Sequence, residues 1–410
     1  MEYVIIGNST AGIGCAEGIR GLDKKGNITI ISDESYHCYS RPLISYFIQG
    51  KIPEDHLYYR NKNFYKEQHI KLLSKTRVME IKYEEKQLLL SNGEFLSYGK
   101  LLLATGSSAF EPPIEGIDGV KNKTSFISLD DAFALKTMLD KKKKVLIIGA
   151  GLIGLKCAEG ILGQVGSINI VDLAPQVLNS ILDSDSAAVI QDHFEQRGVK
   201  FFLSAAIKSI KDSRLLLEGS ESISFDILVV AAGVRPNTAL LQGKAEIGRG
   251  IKINERGETS LKDVYAAGDC TETLDVSSGT EKIMALLPNA YMQGECAGVN
   301  MAGGDKVFDK AIPMNAIGFM GLHLSTAGTY AGEQLIFKQE GHTRKLFYSD
   351  NKLKGYIFMG DVTKSGIFTS LIRDRTPLDT IDFPLICEKP GLMAFTKKVR
   401  AEKLGAFHED

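Results

Sequence analysis

IIGNSTAGIG, residues 5–14, decides how the chain folds. An apolar run, Tyr3 to Ile6, meets Gly7, then Ser9, then Gly12, and continues into a helix-like segment. A strand that turns into a helix through G-x-G-x-x-G lets backbone approach a pyrophosphate at the helix N-terminus. The first glycine makes the tight turn, the second permits the approach, and the third lets helix pack on strand. Here Ser9 stands where the second glycine belongs.

The chain supplies its own reference for that departure. VIIGNSTAGIGCAEGIRG (4–21) and LIIGAGLIGLKCAEGILG (146–163) align without a gap. The second copy has the full set, Gly149, Gly151 and Gly154, so Ser9 aligns with Gly151. Each copy is followed by a further strand-like run, ITIISDE (28–34) and INIVDL (168–173). A single glycine turn is weak evidence, but two aligned copies in strand–turn–helix–strand context predict two nucleotide-binding units. Asp172 ends the later strand of the second copy, where a carboxylate accepts hydrogen bonds from an adenosine ribose. In the first copy Ser32 aligns with Asp172, and Asp33 and Glu34 follow it. Serine is small and carries a donor, so the hydroxyl or backbone N–H of Ser9 is expected to face the phosphates, with Thr10 and Ala11 beside it.

Three further segments read as strands that end in glycine turns: LLLATG with Ala104, Thr105 and Gly106; ILVVAAGVRPNT with Gly233; and DVYAAGDCTE with Gly268 and Asp269. In this order, and with the twin turns, they resemble the pyridine nucleotide–disulfide oxidoreductase superfamily of FAD enzymes, over most of the chain. The resemblance implies FAD on the first copy and NAD(P)H on the second. It implies that Asp269 meets the FAD ribitol, that Val78 meets the adenine, and that the helix opened by Pro288 and Asn289 starts beneath the flavin. Leu152 and Ile153 follow the second turn as cofactor contacts. In SYHCYSRPLISYFIQGK (35–51), Pro42 takes the place of the redox cysteine and Cys38 lies four residues earlier. With GNSTAG and GDVTKSGIFTSLIRDRTPLD (360–379), this resembles the cysteine-free branch. That branch holds NADH:rubredoxin and ferredoxin reductases, nitrite reductase flavin modules, and FAD subunits of phenylglyoxylate and aldehyde oxidoreductase complexes. Arg41 and Pro42 are expected to shape the flavin face. Lys156 replaces the Glu that many relatives carry near the nicotinamide.

Composition bounds the remaining possibilities. The chain has 410 residues, 44% hydrophobic and 24% charged, with net charge -1. That suits two or three globular domains and gives no field to recruit nucleic acid or an anionic membrane. No apolar run approaches the ~18 residues of a membrane span, and no leader-like segment opens the chain, so a cytoplasmic protein is expected. The six cysteines show neither C-x-x-C nor zinc spacing and read as buried reduced thiols; no metal site is expected. Lys141 to Lys144 read as a solvated connection.

The expected architecture is α/β, with two Rossmann-like three-layer domains and a small α+β C-terminal domain. The FAD domain spans 1–112 and 245–308, the NAD(P)H domain 113–244, and the C-terminal interface domain 309–410. In the last, EQLIFKQ, RKLFYSD and LKGYIFMG read as strands, and in relatives this domain makes homodimer or partner contacts. The expected activity passes a hydride from NADH to flavin N5 and hands the electrons to an iron–sulfur or rubredoxin-type protein or partner subunit. NADH is expected over NADPH, because Asp172 repels a 2′-phosphate and no Lys or Arg lies between 172 and 196. The competing readings are an NADH oxidase or peroxidase, and a flavin- or NAD-binding regulatory subunit without turnover.

Overall fold

The computed structural model describes residues 1–404. Two five-stranded parallel sheets form its centre, and four strands of each share one topology. In the first, Glu2–Ile6 lies between Asn27–Ile31 and Lys100–Leu103, with Ile70–Leu73 and Val264–Ala266 at the edges. In the second, Lys144–Ile148 lies between Ser167–Val171 and Ile227–Val230, with Val199–Phe202 and Lys123–Thr124 outermost. The central strands are buried along nearly their whole length, as parallel strands covered on both faces must be. Each feeds a helix through its glycine turn: Thr10–Leu22 in the first copy and Leu152–Ile161 in the second.

The helix Thr10–Leu22 packs against Leu287–Met301 at a distance only glycine permits. A Cβ on Gly294 would stand 2.0 Å from the Ala11 carbonyl oxygen, and one on Gly298 would stand 2.1 Å from that of Cys15. Three-stranded antiparallel ribbons cap the outer face of each parallel sheet, over Val78–Ser97 and Ile207–Ser224.

Two crossing segments join the halves, and they pair as a short antiparallel ladder of Ser107–Ala109 and Val234–Pro236. Asn237 pins it: its amide donates to the Thr105 carbonyl at 2.8 Å, and Thr105 Oγ1 donates to the Asn237 carbonyl at 2.7 Å.

A five-stranded antiparallel sheet follows, built from Met314–Phe319, Leu322–Gly328, Glu333–Gln339, His342–Ser349 and Lys352–Met359. It contains the three strands read from sequence. Asp350 and Asn351 both take positive φ, 51° and 59°, in the tight turn between two of them. This sheet docks on the second half through Lys345, which is 2% exposed and bonds Asp183 at 2.6 Å. Lys144 opens its strand by bonding Asp226, and Lys143 lies 3.8 Å from the same carboxylate, so the lysine run is partly anchored.

Candidate functional site

Both parallel-sheet halves and the antiparallel sheet line one cleft of about 1230 Å³. That exceeds the ~300–1,000 Å³ typical of a single small ligand. The first glycine turn opens onto the cleft, and the second shares its geometry. Gly7 takes φ +122°, and a Cβ there would meet the Ala104 carbonyl oxygen at 2.1 Å; Gly149 repeats this with φ +114° against Ala231 at 2.2 Å. Gly12 and Gly154 lie on the carbonyls of Gly7 and Gly149, at 2.0 and 1.9 Å from a notional Cβ. The middle position is different. Gly151 has φ −78° and nothing within 4 Å of a notional Cβ, and Ser9 adopts a similar extended backbone with φ −118°. The fold therefore needs glycine at the first and third places and tolerates serine at the second. Ser9 caps its helix without a side-chain bond, so its hydroxyl is not committed to the first-turn N–H groups.

Gly7, Ser9, Thr10 and Ala11 form one wall of the cleft. Asp33, Glu34, Arg41, Pro42, Val78, Ala104, Thr105, Gly106, Gly268, Asp269 and Pro288 continue it, and the second copy adds Leu152, Ile153 and Lys156. Seven residues singled out from sequence stand off this wall. Gly12 and Gly154 lie beneath their turns, while Gly149 and Gly151 lead into the second helix away from the cleft. Asp172 accepts from the backbone N–H of Ala150 at 2.6 Å and of Ala174 at 2.8 Å, bracing the second turn. Gly233 joins the connecting ladder, its carbonyl accepting from the N–H of Phe110. Asn289 is fully buried and donates to the Ile312 carbonyl at 2.9 Å, which ties its helix to the chain entering the antiparallel sheet.

The two adjacent carboxylates of the first copy separate by environment. Glu34 accepts from Arg41 at 2.9 Å and Tyr39 at 3.2 Å, whereas Asp33 is exposed on the cleft wall. Asp269 accepts from Ser107 at 3.3 Å. Burial pushes its carboxyl above the ordinary range, against the pull of that hydroxyl and of Arg41. Lys156 is held by Glu159, by the Gly318 carbonyl at 3.2 Å, and over the Tyr46 ring at 4.7 Å. Glu159 in turn accepts from the Met320 N–H at 2.9 Å. Lys156 is thus a joint between the second half and the antiparallel sheet as well as a wall residue.

All six cysteines are buried and unpaired, and among the described residues none lines the cleft. Cys38 packs on His37 and Tyr65, and burial raises its thiol despite the Tyr65 hydroxyl. Among the described residues no group of three or more His, Cys, Asp or Glu could hold a metal ion, and no helix is long and apolar enough to cross a membrane.

The antiparallel sheet supplies a wall that motif reading did not find. Asn315, Ser325, Thr326 and Tyr356 of the sheet face the cleft, joined by Thr369 from the helix Ser365–Arg373. Ser325 and Tyr356 are 3% and 2% exposed, and the Tyr356 hydroxyl lies between those of Ser325 at 3.1 Å and Thr369 at 2.8 Å. The only sequence trace of this wall is the run of small hydroxyl residues in LHLSTAG and GIFTS.

The residues fit a dinucleotide at the first turn. A tight glycine cradle, free first-turn N–H groups, an exposed carboxylate past the second strand and an acceptor at Asp269 converge on one cleft.

Comparison with known proteins gives the same picture. The family model described as pyridine nucleotide-disulphide oxidoreductase matches residues 1–294. The chain is 29% identical over 391 residues to the NADH-dependent phenylglyoxylate dehydrogenase subunit epsilon of Aromatoleum evansii, covering 92% of each. It is 34% identical over 325 residues to an NADH oxidase of Methanocaldococcus jannaschii, covering 75% of this chain and 71% of that one. Its fold matches the crystal structure of NADH:rubredoxin oxidoreductase from Clostridium acetobutylicum with a TM-score of 0.74 at 26% identity, over 91% of this chain and 95% of that one.

Proposed function

The chain belongs to the pyridine nucleotide-disulphide oxidoreductase family, and on that premise we propose an FAD-dependent NADH oxidoreductase that hands electrons to an iron–sulfur or rubredoxin-type protein, free or as a partner subunit. The observation that carries this reading is the cleft wall itself: Pro42 lines it where disulfide-using relatives have a cysteine, and every thiol of the chain is buried elsewhere. With no thiol beside it, the cleft suits an electron acceptor that docks from outside. When bound, the flavin accepts two electrons from NADH and can return them singly to such an acceptor.

We assign FAD to the half formed by 1–112 and 245–308, and NADH to 113–244. In this reading the backbone at Gly7 to Ala11 and the Ser9 hydroxyl hold the FAD phosphates. Asp33 takes the adenosine ribose, since Glu34 is already bonded to Arg41 and Tyr39. Asp269 accepts from the ribitol chain, and Val78 packs on the adenine. Leu152, Ile153 and Lys156 border the nicotinamide side. The protein aligns the two carriers and shields them from water, and no side chain needs to act as acid or base. We also assign it to the cytoplasm, from its six unpaired thiols.

Anaerobic mixing of the yellow protein with NADH tests the assignment. Stable bleaching, followed by fast recolouring with a rubredoxin or ferredoxin and slow recolouring with air or peroxide, is the expected result. The M. jannaschii relative makes oxidase chemistry the second reading, and recolouring fastest with oxygen selects it. No bleaching removes both.

A further inference from the structure

We propose that Tyr39, Arg41 and Glu34 form a clasp that sets the angle between the two nucleotide-binding halves, making Tyr39 and Arg41 positioning residues for the NADH reaction.

The two halves are joined covalently only where the chain crosses at Ser107–Ala109 and Val234–Pro236, a ladder of three residue pairs. Such a narrow ladder can act as a hinge, so the angle between the halves is set by the contacts made beside it. The helix Ile44–Ile48 of the first half packs into the apolar core of the second, and residues 127–130 add a directional, hydrogen-bonded attachment next to it. There the chain enters the helix Leu129–Met138, whose first-turn N–H groups have no partner within the helix. Its own capping box serves part of the turn: the Asp131 N–H donates to Ser128 Oγ at 3.1 Å, and the Asp131 carboxylate accepts in return from the N–H of Ser128 at 2.9 Å and of Ile127 at 3.0 Å. The Leu129 N–H instead donates across the halves, to the Tyr39 hydroxyl at 3.0 Å. Arg41 donates through Nη1 to the Ile127 carbonyl at 2.7 Å and through Nη2 to Glu34 at 2.9 Å. The Tyr39 hydroxyl donates to the same Glu34 oxygen at 3.2 Å. Tyr36 adds a bond to Asp130 on the outer side.

The turn that opens this helix is therefore completed by side chains from the other half. Tyr39 is 5% exposed, so water cannot easily replace its hydroxyl. Both terminal nitrogens of Arg41 are engaged in the clasp. Phe126, Ile127, Tyr39 and Arg41 all line the cleft, so a change in the clasp alters the space between the two cofactors. The consequence for turnover rests on the two-cofactor reading above. The clasp itself can be tested apart from it.

The test is hydrogen exchange of the protein as purified, with steady-state kinetics, in Tyr39→Phe, Arg41→Ala and Arg41→Lys. Losing a buried acceptor should speed exchange at the Leu129 amide roughly tenfold in Tyr39→Phe. Arg41→Ala should do the same to the 128–131 amides, while amides of Thr10–Leu22 stay protected and flavin absorbance is retained. kcat/KM for NADH should fall several-fold in both, and Arg41→Lys should recover part of it. Unchanged exchange at Leu129 in Tyr39→Phe refutes the clasp. So does Arg41→Ala losing flavin with the 128–131 amides unaffected, which would make Arg41 a cofactor contact only. Faster exchange with unchanged kcat/KM refutes the positioning role. Wild-type protein that takes up no flavin would sink the functional reading instead and leave the exchange comparison intact. Tyr39→Phe keeps the ring and its packing, so the test does not depend on the alanine variant folding.

Discussion

Replacing Gly12 with alanine should cost far more than replacing Ser9 with glycine, although both stand in the same fingerprint. The added methyl at Gly12 would sit 2.0 Å from the Gly7 carbonyl oxygen and 3.2 Å from Ile5 Cγ2. Ordinary contact requires that oxygen to retreat by more than about an ångström. It has no room, because the Gly7 N–H is bonded to the Ile31 carbonyl at 2.8 Å and its α-carbon abuts Ala104. The helix must lift off the sheet instead, which costs about 3 kcal/mol or more. Ser9 makes no capping bond, and its twin position sees open space. Ser9→Gly should therefore cost only a few tenths of a kcal/mol. It keeps the backbone N–H, so FAD affinity should fall less than about tenfold, the worth of one hydroxyl bond. The chain has no tryptophan, so urea unfolding is best followed by circular dichroism, with flavin release recorded in parallel. Gly12→Ala unfolding within about 1 kcal/mol of the parent would refute the reasoning. Ser9→Gly losing more than that would refute it equally. Gly151→Ser gives the mirror test, with stability unchanged because a Cβ there meets nothing within 4 Å.

Other outcomes follow from the same geometry. Asp183→Asn strands the buried Lys345 ammonium, with only Asp185 at 3.6 Å to replace the lost partner, and should cost about 3 kcal/mol at neutral pH. Burial pushes the Asp183 carboxyl up, but its bonds to Lys345 and Ser186 outweigh this and hold it below its ordinary value. The pair's contribution is then complete above the unfolded pKa of about 4 and fades as pH falls through the lower folded value, so the gap between variant and parent should close in acid. A gap independent of pH would show that the ion pair is not its source. Cys38→Ala should keep acceptor turnover within a few-fold, and native protein should show no fast-reacting thiol. Loss of acceptor turnover with flavin reduction intact would make Cys38 a redox group. NADPH should show kcat/KM at least roughly tenfold below NADH, because the Asp172 carboxylate beside the second turn repels a 2′-phosphate and no Lys or Arg between 172 and 196 receives one. Equal values would contradict this.

The twin nucleotide-binding units were legible in the chain because glycine-turn chemistry is local. The tight turn, the helix start and the flanking strands all lie within about thirty residues, and the second copy interprets the first. The three strands and the Asp350–Asn351 turn of the C-terminal sheet were readable for the same reason. Where the structure decided, the partners are distant in sequence. Tyr39 reaches Leu129, Lys156 reaches Gly318, Lys345 reaches Asp183, and Asn289 turns to Ile312 instead of the cleft. No periodicity records which of two adjacent carboxylates, Asp33 or Glu34, will be taken by an arginine seven residues on. Nor does any motif announce that Ser325 and Tyr356 will line the cleft from another sheet. The sequence by itself determined two glycine turns of the kind that suits dinucleotide phosphates, since backbone geometry at a few small residues dictates this. Tertiary packing alone decided which side chains remained free to touch them, because a side chain's availability depends on what it has already bonded.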